Sequence, residues 1–256
     1  DGGASFRFIV GKYGSGKSFL LQTIRNYVMA KNFVVVDADL SPERRLQGTR
    51  GQGLATYKEL IRRHKAGEVS FRNVITFNMD EYVGLPEDHP ESYHSFMWNN
   101  FFKHIDILPE NIHIPDGTIA ENKVSEYCAS YDQAAREIDL MIIGVGEDGQ
   151  VGFNEPGSYA RSRTRLVQLT YNTRKIQSGT FFGLENTPKM AITMGIDTIM
   201  RADRIILMAW GEDKARIVQR VVEGDITGQV PASYLQAHPN IEVVIDENAA
   251  GKLTRE

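Results

Sequence analysis

Seven stretches of the 256-residue chain read as extended: "FRFIV" (6–10), "FVVVDAD" (33–39), "NVITFNMD" (73–80), "LMIIGVG" (140–146), "LVQLTY" (166–171), "RIILMAW" (204–210) and "EVVID" (242–246). Several are continuous β-branched and apolar runs with little polar alternation, the mark of strands buried on both faces. Such strands predict a parallel sheet between layers of helices. Helical patterns fall between them, over 18–31, 55–66, 92–103, 121–135, 187–199 and 212–223. The alternation predicts a doubly wound α/β fold with a mainly parallel sheet, and places ligands at the carboxyl ends of its strands. "FRFIV" and "FVVVDAD" are expected to run parallel in the same sheet as "NVITFNMD", because a βαβ unit needs a shared sheet to bury both faces. No internal repeat, low-complexity tract or Pro/Gly/Ser linker interrupts the chain.

Between the first strand and the first helix lies "GKYGSGKS", residues 11–18, with the G-x-x-x-x-G-K-S spacing of a phosphate-binding P-loop in its strand–loop–helix setting. Gly11, Gly14 and Gly16, with Ser15 between the last two, let backbone N–H groups face a phosphate, and the helix N-terminus adds partial positive charge. Lys17 would reach the terminal phosphates, and Ser18 would offer its hydroxyl to Mg²⁺. In "VVVDAD", Asp37 or Asp39 reads either as a carboxylate near that Mg²⁺ or as a strand ending in a capping aspartate. ATP with Mg²⁺ is therefore a candidate ligand, although binding is not hydrolysis.

Composition narrows the partners. The hydrophobic fraction is 41%, enough for one large core, and 29 basic residues stand against 33 acidic ones without a basic block. Nucleic acid and anionic membrane are not suggested, so a small-molecule phosphate ligand is the better expectation. Cys128 is the only cysteine, which excludes an internal disulfide and points to a reducing compartment. With no run of membrane-spanning length and no signal-peptide pattern, the chain is expected to be soluble and cytoplasmic, or recombinant if engineered. The opening "DGGAS" reads as a fragment edge. The six histidines, at 64, 89, 94, 104, 113 and 238, lack metal-ligand spacing and are read as surface or helix-capping residues. Trp98, Phe101 and Phe102 are read as core.

The chemistry-bearing residues gather where strands run out. Asp80 and Glu81 end one strand, Asp148, Gln150 and Glu155 follow another, and Lys214 follows a third. Carboxylates with one cation and glycine-rich loops suit proton transfer on a phosphorylated substrate. "GVGEDG" at 144–149 also fits G-x-G-x-x-G, but no acidic partner follows a second strand, so a dinucleotide site is not expected.

Together "FNMDEYVGL", "HPESYHSFM", "GVGEDGQVGFNEPGS", "SRTRL" and "PKMAITMG" resemble the glucosamine-6-phosphate deaminase (isomerase) family from about Thr56 to the C-terminus. The resemblance implies a Rossmann-like three-layer fold. It also implies conversion of glucosamine 6-phosphate to fructose 6-phosphate and ammonia without a redox cofactor or metal. By the same resemblance Asp80 matches the base that moves a proton between C2 and C1, and Lys214 matches a phosphate-binding lysine. Asp148 and Glu155 match carboxylates that orient and charge-balance a ring-opening histidine. Gln150 stands where the family has that histidine, and an amide has no nitrogen that titrates near neutral pH. Thr180 stands where many members carry an arginine for the substrate phosphate.

The front departs further. The family's "TGGTP" phosphate loop is missing ahead of "TYKEL", which follows "SPERRLQGTRGQGLA" instead. Residues 1–55 resemble the start of a P-loop ATPase family associated with bacterial phage defence, without the later strands and sensor residues that hydrolysis requires. The chain is read as a P-loop strand–helix–strand segment, 1–55, joined to a deaminase-like domain, 56–256, in one continuous α/β domain. An engineered chimera is the first reading and a natural fusion the second. Its expected function is phosphate or nucleotide binding on a deaminase-derived scaffold with deaminase activity lost or strongly impaired. The alternative is an active aldose–ketose isomerase/deaminase acting on an amino-sugar phosphate. Homo-oligomerisation stays open.

Overall fold

The computed structural model describes residues 7–10 and 52–254. The P-loop at 11–18, Asp37, Asp39, the helix expected at 18–31 and the strand expected at 33–39 lie outside the described residues.

Four strands form an all-parallel sheet in the order β1 (Arg7–Val10), β9 (Ile241–Ile245), β8 (Arg204–Ala209), β5 (Leu140–Gly144). Every residue of β8 and β9 is buried, as continuous apolar runs require in a covered parallel sheet. Alternate positions serve opposite faces. Ile205, Leu207 and Ile143 enter the main core, whereas Ile206, Met208 and Val244 form a smaller cluster with Leu140 and Trp210.

Two further ladders stand beside this sheet. β2 (Thr76–Phe77) pairs in parallel with β4 (Ile112–His113). β3 (Asp80–Tyr82), β7 (Met190–Thr193) and β6 (Arg165–Gln168) form an antiparallel sheet in that order. The stretch "NVITFNMD" is thus not one strand. It breaks at Asn78, whose N–H extends the β2–β4 ladder to the His113 carbonyl (2.8 Å), and resumes at Asp80 facing Thr193. Among the described residues "FRFIV" (β1) pairs with β9 and "NVITFNMD" (β2 and β3) with β4 and β7, in separate ladders, while "FVVVDAD", the third strand expected in their shared sheet, lies outside the described residues.

Among the helices, α1 (Gln52–Lys65), α2 (Tyr93–Asn100), α3 (Val124–Ala134) and α6 (Ala215–Val222) fall where the periodicity predicts them. Single 3₁₀ turns at Phe102–His104, Glu121–Lys123 and Glu212–Lys214 account for the remaining expected turns. The helix predicted over 187–199 is wrong for most of its length. "MAIT" is β7, sandwiched between β3 and β6, and only α5 (Ile196–Ile199) is helical. A run buried at nearly every position has no helical face to detect. Conversely, α4 (Tyr171–Gln177) begins inside the predicted strand "LVQLTY", because the Thr170 side chain accepts the Thr173 N–H as an N-cap. The last helix, α7 (Glu247–Ala250), is capped in the same way by Asp246.

Phe101 and Phe102 are buried as expected, but Trp98 is 41% exposed and stacks on His94. His238, read as a surface residue, is buried: Nε2 donates to the Ala202 carbonyl (2.7 Å) and Nδ1 accepts from the Asn240 N–H (3.1 Å). The buried Asp132 near the end of α3 ties that helix to the residues just before β6 and to α5. Its Oδ1 accepts from Thr164 N (3.1 Å), Thr164 Oγ1 (2.5 Å) and Thr198 Oγ1 (2.7 Å), and its Oδ2 accepts from Arg163 Nε (2.7 Å).

Candidate active site

Of the sequence-predicted residues, Asp148 and Gln150 follow the end of β5 and Lys214 follows β8, whereas Asp80, expected to end a strand, opens β3 three residues after β2 ends at Phe77. β3 ties Asp80 in antiparallel register to Thr193 of β7, and the loop after β5 folds back over both. At Gly152 the backbone adopts a positive φ of 56°, and a Cβ there would stand 2.7 Å from Met79 Sδ, 2.9 Å from Thr193 Oγ1 and 3.2 Å from Asp80 Oδ2. Only glycine allows the loop so close to the carboxylate. The same Thr193 hydroxyl accepts the Phe153 N–H (3.1 Å), which locks the loop onto β7. Gly152 and Thr193 were missed by sequence reasoning; the glycine in "GQVGF" was the available signal.

Burial, reinforced by the neighbouring negative charge of Glu81, pushes the Asp80 carboxyl up to about 7. A carboxylate poised there can take a carbon-bound proton and return it near neutral pH. If Asp80 is the base, C2 proton exchange should rise with pH as its carboxyl ionises and level off above about 7. A pH–rate profile, checked against the carboxyl carbon shift of Asp80 by NMR, measures this directly. A profile already flat at pH 5 would assign the base elsewhere.

Glu81, one residue on, has a different task. Its Oε1 accepts from Tyr82 N (2.8 Å) and Tyr93 N (3.0 Å), and its Oε2 accepts from His94 N (2.9 Å). Two of these are N–H groups of the first turn of α2, so Glu81 anchors that helix rather than adding a third free carboxylate.

The loop after β5 is a compact turn. Asp148 Oδ1 accepts the Gln150 N–H at 3.0 Å, and Gly149 adopts a φ of 90° between them. Both side chains sit over Gly146, where a Cβ would meet Gln150 Cγ at 2.5 Å and Asp148 Oδ1 at 3.0 Å. The side-chain carbonyl oxygen of Gln150 is buried and has no hydrogen-bond partner among the described residues. Lys214, in the turn after β8, reaches to the neighbouring strand end and donates to the Val145 carbonyl at 3.0 Å.

Glu155 spends its oxygens elsewhere. Its Oε1 accepts from the hydroxyls of Thr170 (2.9 Å) and Thr173, and its Oε2 accepts from the Thr170 N–H (3.1 Å). The histidine that the resemblance has Glu155 orient is absent here, and the buried carboxylate ties the site loop to the start of α4. Thr170 and Thr173 lie 15 and 18 residues downstream, beyond the reach of any spacing argument. Thr180 lies just beyond α4, in the turn where its N–H donates to the Gln177 carbonyl. The expected phosphate ligands Gly11, Gly14, Ser15, Gly16, Lys17 and Ser18, and the expected Mg²⁺ ligand Asp37, lie outside the described residues.

Comparison with known proteins gives two matches along the chain. Residues 51–244 match the family model of glucosamine-6-phosphate isomerases/6-phosphogluconolactonase, and residues 1–76 match that of BREX system ATP-binding protein BrxC/D. The join inferred from the motifs falls inside the overlap, and a chimera fits both matches. A glucosamine-6-phosphate deaminase of Aeromonas hydrophila is 52% identical over 210 residues, covering 80% of this chain and 78% of its own. One from Phocaeicola vulgatus is 46% identical over 242 residues, covering 91% and 90%. Among solved structures, a monomeric glucosamine-6-phosphate deaminase aligns with a TM-score of 0.79 at 33% identity, covering 96% of this chain and 99% of that one. A 6-phosphogluconolactonase from Thermotoga maritima shares the fold at a TM-score of 0.66 and 16% identity, covering 95% and 100%.

Proposed function

This chain belongs to the glucosamine-6-phosphate isomerase/6-phosphogluconolactonase family, and on that premise we propose that its site transfers a proton between C2 and C1 of an amino-sugar phosphate with strongly reduced turnover. The observation that carries the reading is the Asp80 carboxyl, raised to about 7 and lodged against Gly152 at the mouth of the β5 loop. As carboxylate, Asp80 removes the C2 proton of the open-chain aldose. The C–H electron pair becomes a C1=C2 double bond, and the carbonyl pair moves to O1, which takes a proton from solvent. Return of a proton to C1 leaves an imine at C2, which water hydrolyses to the ketone and ammonia. Lys214 supplies the cation for the phosphate, and no redox cofactor or metal enters these steps.

The impairment comes from ring opening. That step exchanges a proton at the ring oxygen, and the amide of Gln150 can hydrogen-bond there but cannot shuttle a proton. Loss of one acid–base group removes ~10²–10⁴ in rate. Ammonia release from glucosamine 6-phosphate is therefore expected to fall at least ~10²-fold below that of the Aeromonas hydrophila relative assayed alongside. Gln150→His should recover part of the loss. Turnover by the unmodified chain equal to the relative's would overturn the impairment and leave an active deaminase.

A second reading concerns the front of the chain and is favoured by the match of residues 1–76 to an ATP-binding family. On this reading residues 11–18 would hold phosphate or ATP with Mg²⁺ weakly, with Lys17 supplying a cation for the phosphates and Ser18 and Asp37 supplying oxygen ligands for the metal. Calorimetry with ATP and Mg²⁺ tests this, since Lys17→Ala should remove most of the heat. Equal affinity in both proteins would sink it.

A further inference from the structure

The site is uneven in what it retains. Its enolising half is complete: Asp80 is fixed by β3–β7 pairing, and Gly152 keeps the space beside its Oδ2 free of a side chain. At position 150, where the resemblance places the ring-opening histidine, stands an amide that cannot give and take a proton. On the β5 loop, Asp148 has one oxygen tied into the turn by the Gln150 N–H. Glu155 is occupied by Thr170 and Thr173, and Glu147 is exposed on the outside of the turn. The amide of Gln150 has a buried oxygen with no hydrogen-bond partner among the described residues.

A buried acceptor left without a donor is destabilising, and that cost is relieved when a ligand supplies the donor. A chain hydroxyl suits this atom in either orientation of the amide, because a hydroxyl both donates and accepts.

We propose that this site prefers acyclic substrates, phosphorylated polyhydroxy aldehydes and 2-amino aldehydes that reach it already open, with the buried end of Gln150 hydrogen-bonded to one of their chain hydroxyls. The inference rests on the proton-transfer reading above and adds the substrate class. For such a substrate no hemiacetal has to open. Asp80 takes the C2 proton, C1=C2 forms as O1 is protonated, and the proton returns at C1 as the C2 hydroxyl or amine gives up one of its own to form C2=O or C2=N. A 2-hydroxy aldehyde leaves as the ketose with no co-reactant, and a 2-amino aldehyde consumes one water and releases ammonia.

The test compares glucosamine 6-phosphate with its 4,5-dideoxy analogue, which has no hydroxyl placed to close a five- or six-membered ring. Loss of the C2–H signal is followed by proton NMR in D₂O, with the uncatalysed rate subtracted. The unmodified chain is expected to exchange the analogue at least ~10²-fold faster than the cyclic substrate, the size of one missing acid–base group. Gln150→His should narrow that ratio at least tenfold by raising the rate on the cyclic substrate. Gln150→Leu should raise KM for the analogue about tenfold, the equivalent of one lost hydrogen bond of about 1.4 kcal/mol, with a smaller change in kcat. Asp80-dependent exchange at equal rates on both substrates would overturn the preference, and an unchanged KM in Gln150→Leu would overturn the amide contact. Exchange of the analogue that survives Asp80→Asn undiminished would instead overturn the proton-transfer reading itself. Should Gln150→His fail to fold, the two-substrate ratio of the unmodified chain decides alone.

Discussion

Asp80→Asn is expected to lower C2 proton exchange and ammonia release by ~10²–10⁴-fold while leaving the protein folded. Asparagine has the same shape against Gly152 but cannot accept the proton. The substitution should also change how stability depends on pH. In the folded chain the Asp80 carboxyl sits at about 7, well above its unfolded value, so the folded state holds a proton that the unfolded state has already released. That contribution is fully present below about pH 4 and is lost as pH rises towards 7. The variant never loses it. Its melting temperature, compared with that of the unmodified chain, should therefore gain between pH 4 and pH 8. Loss of activity without this gain would mean that the carboxyl is not held in the environment described.

The second large effect lies away from the chemistry. Asp132→Ala removes the acceptor of the Thr164 N–H, the Thr164 and Thr198 hydroxyls and the Arg163 Nε. Buried donors left unsatisfied cost ~1–3 kcal/mol each, and rotation of the two hydroxyls relieves part of that, so a loss of about 3–5 kcal/mol is expected. At this chain length that is a fall in melting temperature of roughly 10 °C. Burial by itself would raise the Asp132 pKa, but the threonine hydroxyls, the Thr164 N–H and Arg163 outweigh it and hold the group below the usual aspartate range. Its contribution is therefore present at neutral pH and disappears as pH falls through that lowered value. Urea titrations at pH 7 and in acid measure both effects. A denaturation midpoint for Asp132→Ala equal to that of the parent at pH 7 would refute the account, and the difference between the two proteins should shrink in acid.

The main parallel sheet was legible because "LMIIGVG", "RIILMAW" and "EVVID" are apolar without alternation and end at glycine or polar residues. The same absence of alternation hid β7: "MAITMGIDTIM" is apolar at helical and strand spacings alike, and only its place between β3 and β6 decides the matter. α4 was hidden by its polarity, with Tyr171 and Ile176 both exposed, although Thr170 followed by Thr173 offered a capping signal. Among site residues, Asp148, Gln150 and Lys214 could be placed because they follow strands, and Asp80 because it comes shortly after β2 ends. The true partners of Glu155 and Glu81 could not, since both carboxylates spend their oxygens on backbone and hydroxyl groups that tertiary folding brings to them. The elevated proton affinity of Asp80 arises from burial, which no local pattern encodes.

The pairing of β1 with β9 has a consequence for biosynthesis. Residue 7 meets its partner at residue 242. At ~5–20 residues added per second, β1 leaves the ribosome on the order of 10–50 s before the strand it needs exists. Throughout that interval the nascent chain carries β1 without the neighbour it takes among the described residues, while β5 and β8 can already associate. Closing the sheet at β1 is therefore a late, long-range event whose rate is set by loop entropy rather than by the strength of the finished ladder.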